Sequence, residues 1–318
     1  SAVVLYNICV GILQAVGDSR HPLYYLIFSA CLNVVLDLLF IGVFHMGVGS
    51  AAAATAISQA VSALLCLVQL VRTKEVYKVS LKEIRFHKDM LGQILRYGLP
   101  SGVQNSANVV VQSNINSFGD DAMAGCGSYS RVEGFAFLPI TCFSMSLTTF
   151  IGQNLGAQKF DRAKAGARFG ILCSVVMAEI IGAAIWLLAP YCIALFNDSP
   201  EVVALGARQA RTEALFYCLL AFSHCIAGIC RGAGKANVPM FIMLACWCLL
   251  RIVYITVTVH FIPSIGVVFW AYPLTWGLSS AAFLVYYLKS DWVHAFERRR
   301  AREELEGGKI GTTEETSE

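Results

Sequence analysis

Apolar residues dominate this chain in unbroken runs of about twenty, the length a helix needs to cross a hydrocarbon core roughly 30 Å thick. After an opening apolar stretch to about Val16, the pattern predicts eight complete spans, at roughly 22–44, 48–71, 99–118, 134–156, 169–190, 212–230, 238–261 and 264–288. Pro22, Pro100, Pro239 and Pro263 fall at or near span starts, where a missing backbone N–H costs little. Pro139 and Pro273 fall within spans and predict kinks. The expected fold class is an all-α polytopic membrane protein of about eight and a half spans.

Composition agrees: 57% of residues are hydrophobic, 14% are charged and the mean hydropathy is +0.62, whereas a soluble domain carries about 25% charged residues. Most of the twelve cysteines lie inside the apolar runs, with no C-x-x-C pair and no Cys/His spacing suited to a metal, so they read as small membrane-helix hydrophobes. Twenty of the 24 Lys and Arg fall in one alternate set of connections, against Arg131, Arg208 and Arg211 in the other and Arg251 inside a span. By the positive-inside rule the basic set is cytoplasmic, C-terminus included, and the net charge of +3 reflects this asymmetry rather than nucleic-acid binding. The tail 291–318 is acidic from Glu303 and lacks apolar periodicity, which predicts disorder.

The longest internal connection, 72–98, mixes charges with Met90, Leu91, Ile94 and Leu95 at helical spacing, as an interfacial helix would, and reads as a linker between two halves. An internal repeat supports the division. Residues 11–22, G-I-L-Q-A-V-G-D-S-R-H-P, align with 228–239, G-I-C-R-G-A-G-K-A-N-V-P, at an offset of 217. Both copies end one span and begin the next on the same side, so the halves are parallel repeats. The offset puts the partner of the span at 99 ahead of residue 1. From this, together with Ser1 in place of an initiator Met, about 120 further N-terminal residues and twelve spans are expected in an intact chain.

The runs L-Y-N-I-C-V-G-I-L-Q-A-V-G-D-S-R-H-P at 5–22, L-N-V-V-L-D-L-L-F-I at 32–41, A-T-A-I-S-Q at 54–59, Q-S-N-I-N-S-F-G at 112–119 and I-G-Q-N-L-G-A at 151–157 resemble bacterial transporters of the MATE (multidrug and toxic compound extrusion) family. The resemblance covers residues 1 to about 290. It implies two six-helix lobes around a central cavity, exporting drugs against a Na⁺ or H⁺ gradient. This chain would begin within the fourth helix, lacking the family's first-helix acid and the first lobe's copy of G-Q-N-x-G-A. On this reading 1–71 is the rest of the N-terminal lobe and 99–290 the C-terminal lobe.

Asp37 is the one formal charge between 22 and 44, and a carboxylate deep in a membrane helix costs roughly 2.5–3.5 kcal/mol on insertion scales. Asn33 lies one turn away on the same face. Counting from the ends of the two spans puts Thr55 level with Asp37, and Gln59 level with Asn33. A carboxylate, an amide oxygen and a hydroxyl at one depth can replace the hydration oxygens of Na⁺ or cradle a protonated carboxyl. A buried Asp that merely hydrogen-bonds its neighbours is the plain alternative. The resemblance implies that Asn33, Asp37, Thr55 and a backbone carbonyl, here that of Ala51, hold the coupling ion. The repeat offset places Leu250 and Tyr254 opposite Asn33 and Asp37, so the second half has lost this pair.

Ser101, Asn105, Asn108, Gln112 and Asn116 share one face of the span at 99–118. An uncharged polar stripe lines either a wet cavity, here for substrate, or another helix that its amides bind. Gly152 and Gly156 either admit a close helix or form a tight turn. His224 reads as a hydrogen-bonded core residue ahead of a proton relay, Arg251 as a structural partner, and Glu133 as a solvated residue at the outer end of a span.

Enzyme motifs are missing: Gly234-Lys235 lacks the first Gly and the Ser/Thr of a phosphate loop, and there is no G-x-S-x-G, H-E-x-x-H or dinucleotide fingerprint. The expectation is therefore a cation-coupled antiporter exporting small drug-like organic compounds from the cell membrane. Na⁺ or H⁺ is the coupling ion, no cofactor or obligate protein partner is needed, and the lipid bilayer is the main surrounding. A lipid-linked sugar flippase on a related architecture, or a fragment that transports nothing, are the rivals.

Overall fold

The computed structural model describes residues 2–46, 49–73, 75, 77–80, 85 and 87–292, with backbone only at 89, 93 and 96–107. The described residues form helices and turns with no strand. In order these are α1 (Ala2–Ala15), α2 (Arg20–Asp37), α3 (Gly49–Arg72), α4 (Lys88–Asn116), α5 (Asp120–Gly156), α6 (Phe160–Ala194), α7 (Pro200–Glu213), α8 (Tyr217–Gly232), α9 (Asn237–Met243), α10 (Arg251–Phe261) and α11 (Ile265–Lys289). Three short irregular turns make longer rods of these. A π segment, Leu38–Val43, extends α2; a 3₁₀ turn, Ala214–Phe216, joins α7 to α8; a second π segment, Leu244–Leu250, joins α9 to α10.

Seven of these rods are long and apolar enough to cross a membrane, and Ala2–Ala15 is a shorter apolar helix. The eighth expected span, at 99–118, belongs to α4, whose polar residues keep it out of that group. It is also continuous with the expected interfacial stretch, so that one helix starts at Lys88 and Pro100 lies inside it rather than at its start. Sequence reading also places several starts too late. Helices α5, α6 and the α7–α8 rod begin at Asp120, Phe160 and Pro200, because helical hydrogen bonding runs past the apolar boundary into polar turns. At the other end the expected disordered tail begins too early: Trp292 is buried and stacks on Tyr287, while 293–318 lie outside the described residues.

The chain divides into two compact units, Ser1–Lys88 and Asp89–Glu318, with the boundary inside 72–98. In the first, α3 packs against both α1 and α2. Cys9 and Leu13 of α1 meet Cys66 and Leu70 of α3 in a fully buried seam. In the second, α5, α6 and α8 are mutually packed, with α7 and α11 against them. Its largest core, around Tyr129, Ile140, Tyr217 and Trp276, lies beside the cavity described below.

Small residues set the α5–α8 crossing. A Cβ on Gly232 would come 2.5 Å from the Thr148 carbonyl oxygen, and one on Gly228 would collide with that of Ser144. Thr148 and Ser144 use the closeness to donate to the carbonyls of Gly228 and His224, at 3.1 and 2.6 Å. In lipid, where apolar contact between helices gains little, such approach and cross-helix bonding hold a pair together. Gly152 joins this contact at Gly232, while Gly156 has open space around it, so close approach involves one glycine of that pair.

The internal repeat is visible in the backbone. Gly17 and Gly234 both adopt left-handed φ, of 87° and 74°. Each closes its helix with the same two bonds: Gly17 N–H to Gln14 and Asp18 N–H to Leu13, Gly234 N–H to Arg231 and Lys235 N–H to Cys230. This is the left-handed C-terminal cap that favours glycine.

Candidate functional site

Two polar arrangements stand out, one in each unit. In the first, α2 and α3 run antiparallel and are tied by Ser29 Oγ donating to the Ser58 carbonyl, at 2.6 Å, and Asn33 Nδ2 donating to Thr55 Oγ1, at 3.5 Å. Thr55 Oγ1 donates in turn to the Ala51 carbonyl at 3.0 Å. The pairing is offset by one turn from that expected: Thr55 meets Asn33 rather than lying level with Asp37, and Asn33 does not pair with Gln59. The cause is the π segment. Its Phe44 N–H bonds back to Leu39, five residues earlier, so each turn holds more residues and counting them overstates the height above Asp37.

Asp37 ends α2 as that wider turn begins. Its Oδ1 is buried and accepts no hydrogen bond among the described residues. The structure thus brings Asn33, Thr55 and Ala51 into one bonded chain and leaves, one turn along the Asn33 face, a carboxylate oxygen with free lone pairs. Such a group calls for a proton or a cation.

The second arrangement is a cavity of about 440 Å³ within the larger unit. Asn108 and Gln112 of α4 line it, while Asn116 accepts from Gln112 Nε2 at 2.9 Å one turn further on. Asn105 and Ser101 lie outside the residues whose side chains are described. Facing the amides are Glu133 of α5, Arg251 of α10 and a wall of Phe137, Trp247, Tyr272 and Trp276. No ion pair joins Glu133 to Arg251 among the described residues. Arg251 is 4% exposed, and its guanidinium lies 4.4 Å above the Tyr272 ring and donates to Thr275 Oγ1 at 2.8 and 3.2 Å. Hydrogen bonding and a ring face thus replace a carboxylate partner. That matches the expected structural partnering of Arg251, and adds a cavity surface.

Behind the cavity sits Glu213, fully buried at the junction of α7 and the 3₁₀ turn. It accepts from Tyr129 Oη at 3.3 Å and Gln209 Nε2 at 2.9 Å, while Tyr129 also bonds Tyr217 Oη at 2.9 Å. In the sequence Glu213 stands out only as a further charge in or near a span, and its Tyr129, Gln209 and Tyr217 surroundings are not legible there. Glu133 is not at an outer helix end: it lies fourteen residues into the 37-residue α5 and faces the cavity. The available signal was an acid in each of two long helical rods, hidden by the assumption that spans stop near twenty residues. His224 also differs from its expectation. Its Nε2 is buried and has no hydrogen-bond partner among the described residues, with Phe137 and Trp247 at 5.3 and 5.4 Å.

Comparison with known proteins adds independent findings. The MatE family model matches residues 99–257. The chain is 29% identical to the probable multidrug resistance protein YpnP of Bacillus subtilis over 90% of its own length and 65% of that protein's. It is 28% identical to the probable multidrug resistance protein NorM of Thermotoga maritima, over 72% and 51%. It therefore spans roughly half to two thirds of these curated relatives. An outward-facing structure of a multidrug resistance MATE family transporter of the MOP superfamily aligns with a TM-score of 0.79 at 22% identity, covering 92% of this chain and 66% of that one.

Proposed function

Since the chain belongs to the MatE family, whose members are transporters rather than enzymes, we propose that this multi-pass membrane protein forms part of an antiporter that expels drug-like organic compounds in exchange for Na⁺ or H⁺. The observation that carries the exchange is Asp37, a membrane-helix carboxylate with a buried, unpartnered oxygen beside the Asn33–Thr55–Ala51 chain. A cation or proton bound there changes the charge of α2, and an ion drives alternation only through different affinities for the two conformations. The aromatic cavity bearing Asn108, Gln112 and Glu133 is the surface offered to an organic molecule. Its carboxylate beside Arg251 differs from the strongly cationic site that a lipid-linked pyrophosphate would need.

The test is efflux of a fluorescent cationic dye from proteoliposomes under an imposed Na⁺ or pH gradient. D37N should bind dye but lose at least tenfold in gradient-driven efflux. Efflux by D37N at the wild-type rate and with wild-type ion dependence would make Asp37 a structural carboxylate.

A further inference from the structure

A second concavity, of about 730 Å³, opens between the ends of α6, α7 and α11, at the end of the unit opposite the Lys/Arg-rich connections. Pro190, Ala207, Phe216 and Trp270 supply apolar walls, and Arg208 and Arg211 line it with no carboxylate among its lining residues. Both arginines are exposed, although they belong to a membrane-spanning rod. The Arg211 guanidinium lies 6.0 Å from the Trp186 ring centre, and a Cβ on Gly266 would come within 3.0 Å of Arg208 Nη2, so α11 keeps room for that group. The acid nearer the start of α7, Glu201, already accepts from Ser199 Oγ at 3.0 Å.

Depth decides what such a groove meets. The rod Pro200–Gly232 has 33 residues, about 50 Å at 1.5 Å per residue, against a core of about 30 Å. Centred on the core it extends about 10 Å past each face, which puts Arg208 about 2 Å and Arg211 about 6 Å inside the boundary between headgroups and acyl chains, within reach of long side chains that extend outward. Guanidiniums there reach outward to phosphate, while Trp186 and Trp270 sit at the level where indoles gather. Two cations with no carboxylate in the same lining supply the positive charge that a phosphate needs.

We infer that this groove binds an anionic phospholipid, with Arg208 and Arg211 on its phosphate and Pro190, Phe216 and Trp270 along its acyl chain. The site is independent of what the chain exports. Thermal unfolding of the full chain in nanodiscs tests it. Adding phosphatidylglycerol to phosphatidylcholine discs should raise the wild-type melting temperature. R208Q/R211Q should lose more than half of that rise, and R208K/R211K should keep most of it. R131Q, which removes the third arginine of the same end from its place over Phe196, should keep it all. Inorganic phosphate added to phosphatidylcholine discs should give no rise. Three results would overturn the site: no rise in the wild type, equal loss in R131Q and R208Q/R211Q, or a phosphate effect equal to that of the lipid. If R208Q/R211Q unfolds in phosphatidylcholine discs at a lower temperature than wild type, the lysine variant decides. Its failure to respond to phosphatidylglycerol, despite wild-type stability, would equally overturn the site.

Discussion

At the scale of single residues, the acids differ in what surrounds them, and their substitutions should differ accordingly. Asp37 has an unpartnered oxygen, so D37N removes charge without breaking a described bond, and abundance should stay near wild type while coupling is lost. T55V breaks the link from Asn33 to the Ala51 carbonyl and should be milder, lowering efflux severalfold in the same proteoliposomes because water can replace one neutral oxygen. Glu213 instead accepts two hydrogen bonds in full burial. E213L should therefore lower stability by about 1–3 kcal/mol, because it strands the Tyr129 and Gln209 donors; E213Q, which keeps an acceptor, should cost less. Thermal unfolding in detergent compares them. Asp37 and Asn33 could be read in advance because an acid in an apolar run needs only its neighbours to be recognised. The partners of Glu213 and the cavity face of Glu133 could not, since both depend on how α5, α7 and α10 pack.

At the scale of elements, the α5–α8 crossing predicts a sharp contrast among glycines. G232A forces a methyl against the Thr148 carbonyl and should cost about 1–3 kcal/mol, as overpacking does. G156A, with open space around it, should leave the melting temperature unchanged. At the repeated turn, G234A should cost about 1–2 kcal/mol from left-handed backbone alone. The order of the spans and seven of the eight complete ones were legible from hydropathy, while the polar stripe of α4 set the eighth apart. Helix ends and the depth of Asp37 against Thr55 were not, because π and 3₁₀ turns change residues per turn without leaving a hydropathy signal.

At the scale of the whole molecule, the uneven distribution of Lys and Arg makes a prediction about sidedness, with the basic connections on the cytoplasmic side. A cysteine placed by D198C, in the turn after α6, should react with a membrane-impermeant maleimide in intact cells, and one placed by K159C, in the turn after α5, should not. The twelve native cysteines all lie within helical rods, so they should give a low background. Reversed labelling would invert the topology.

The matched turns at Gly17 and Gly234 separate what the two repeats share from what each has of its own. Between them, Asp18 stands where Lys235 does and Asp37 where Tyr254 does, so charge and chemistry have been rewritten, yet the glycine and both backbone bonds of each cap remain. The two copies are thus free to differ in the work their side chains do, within the shared constraint that the chain reverses direction at the same place in each.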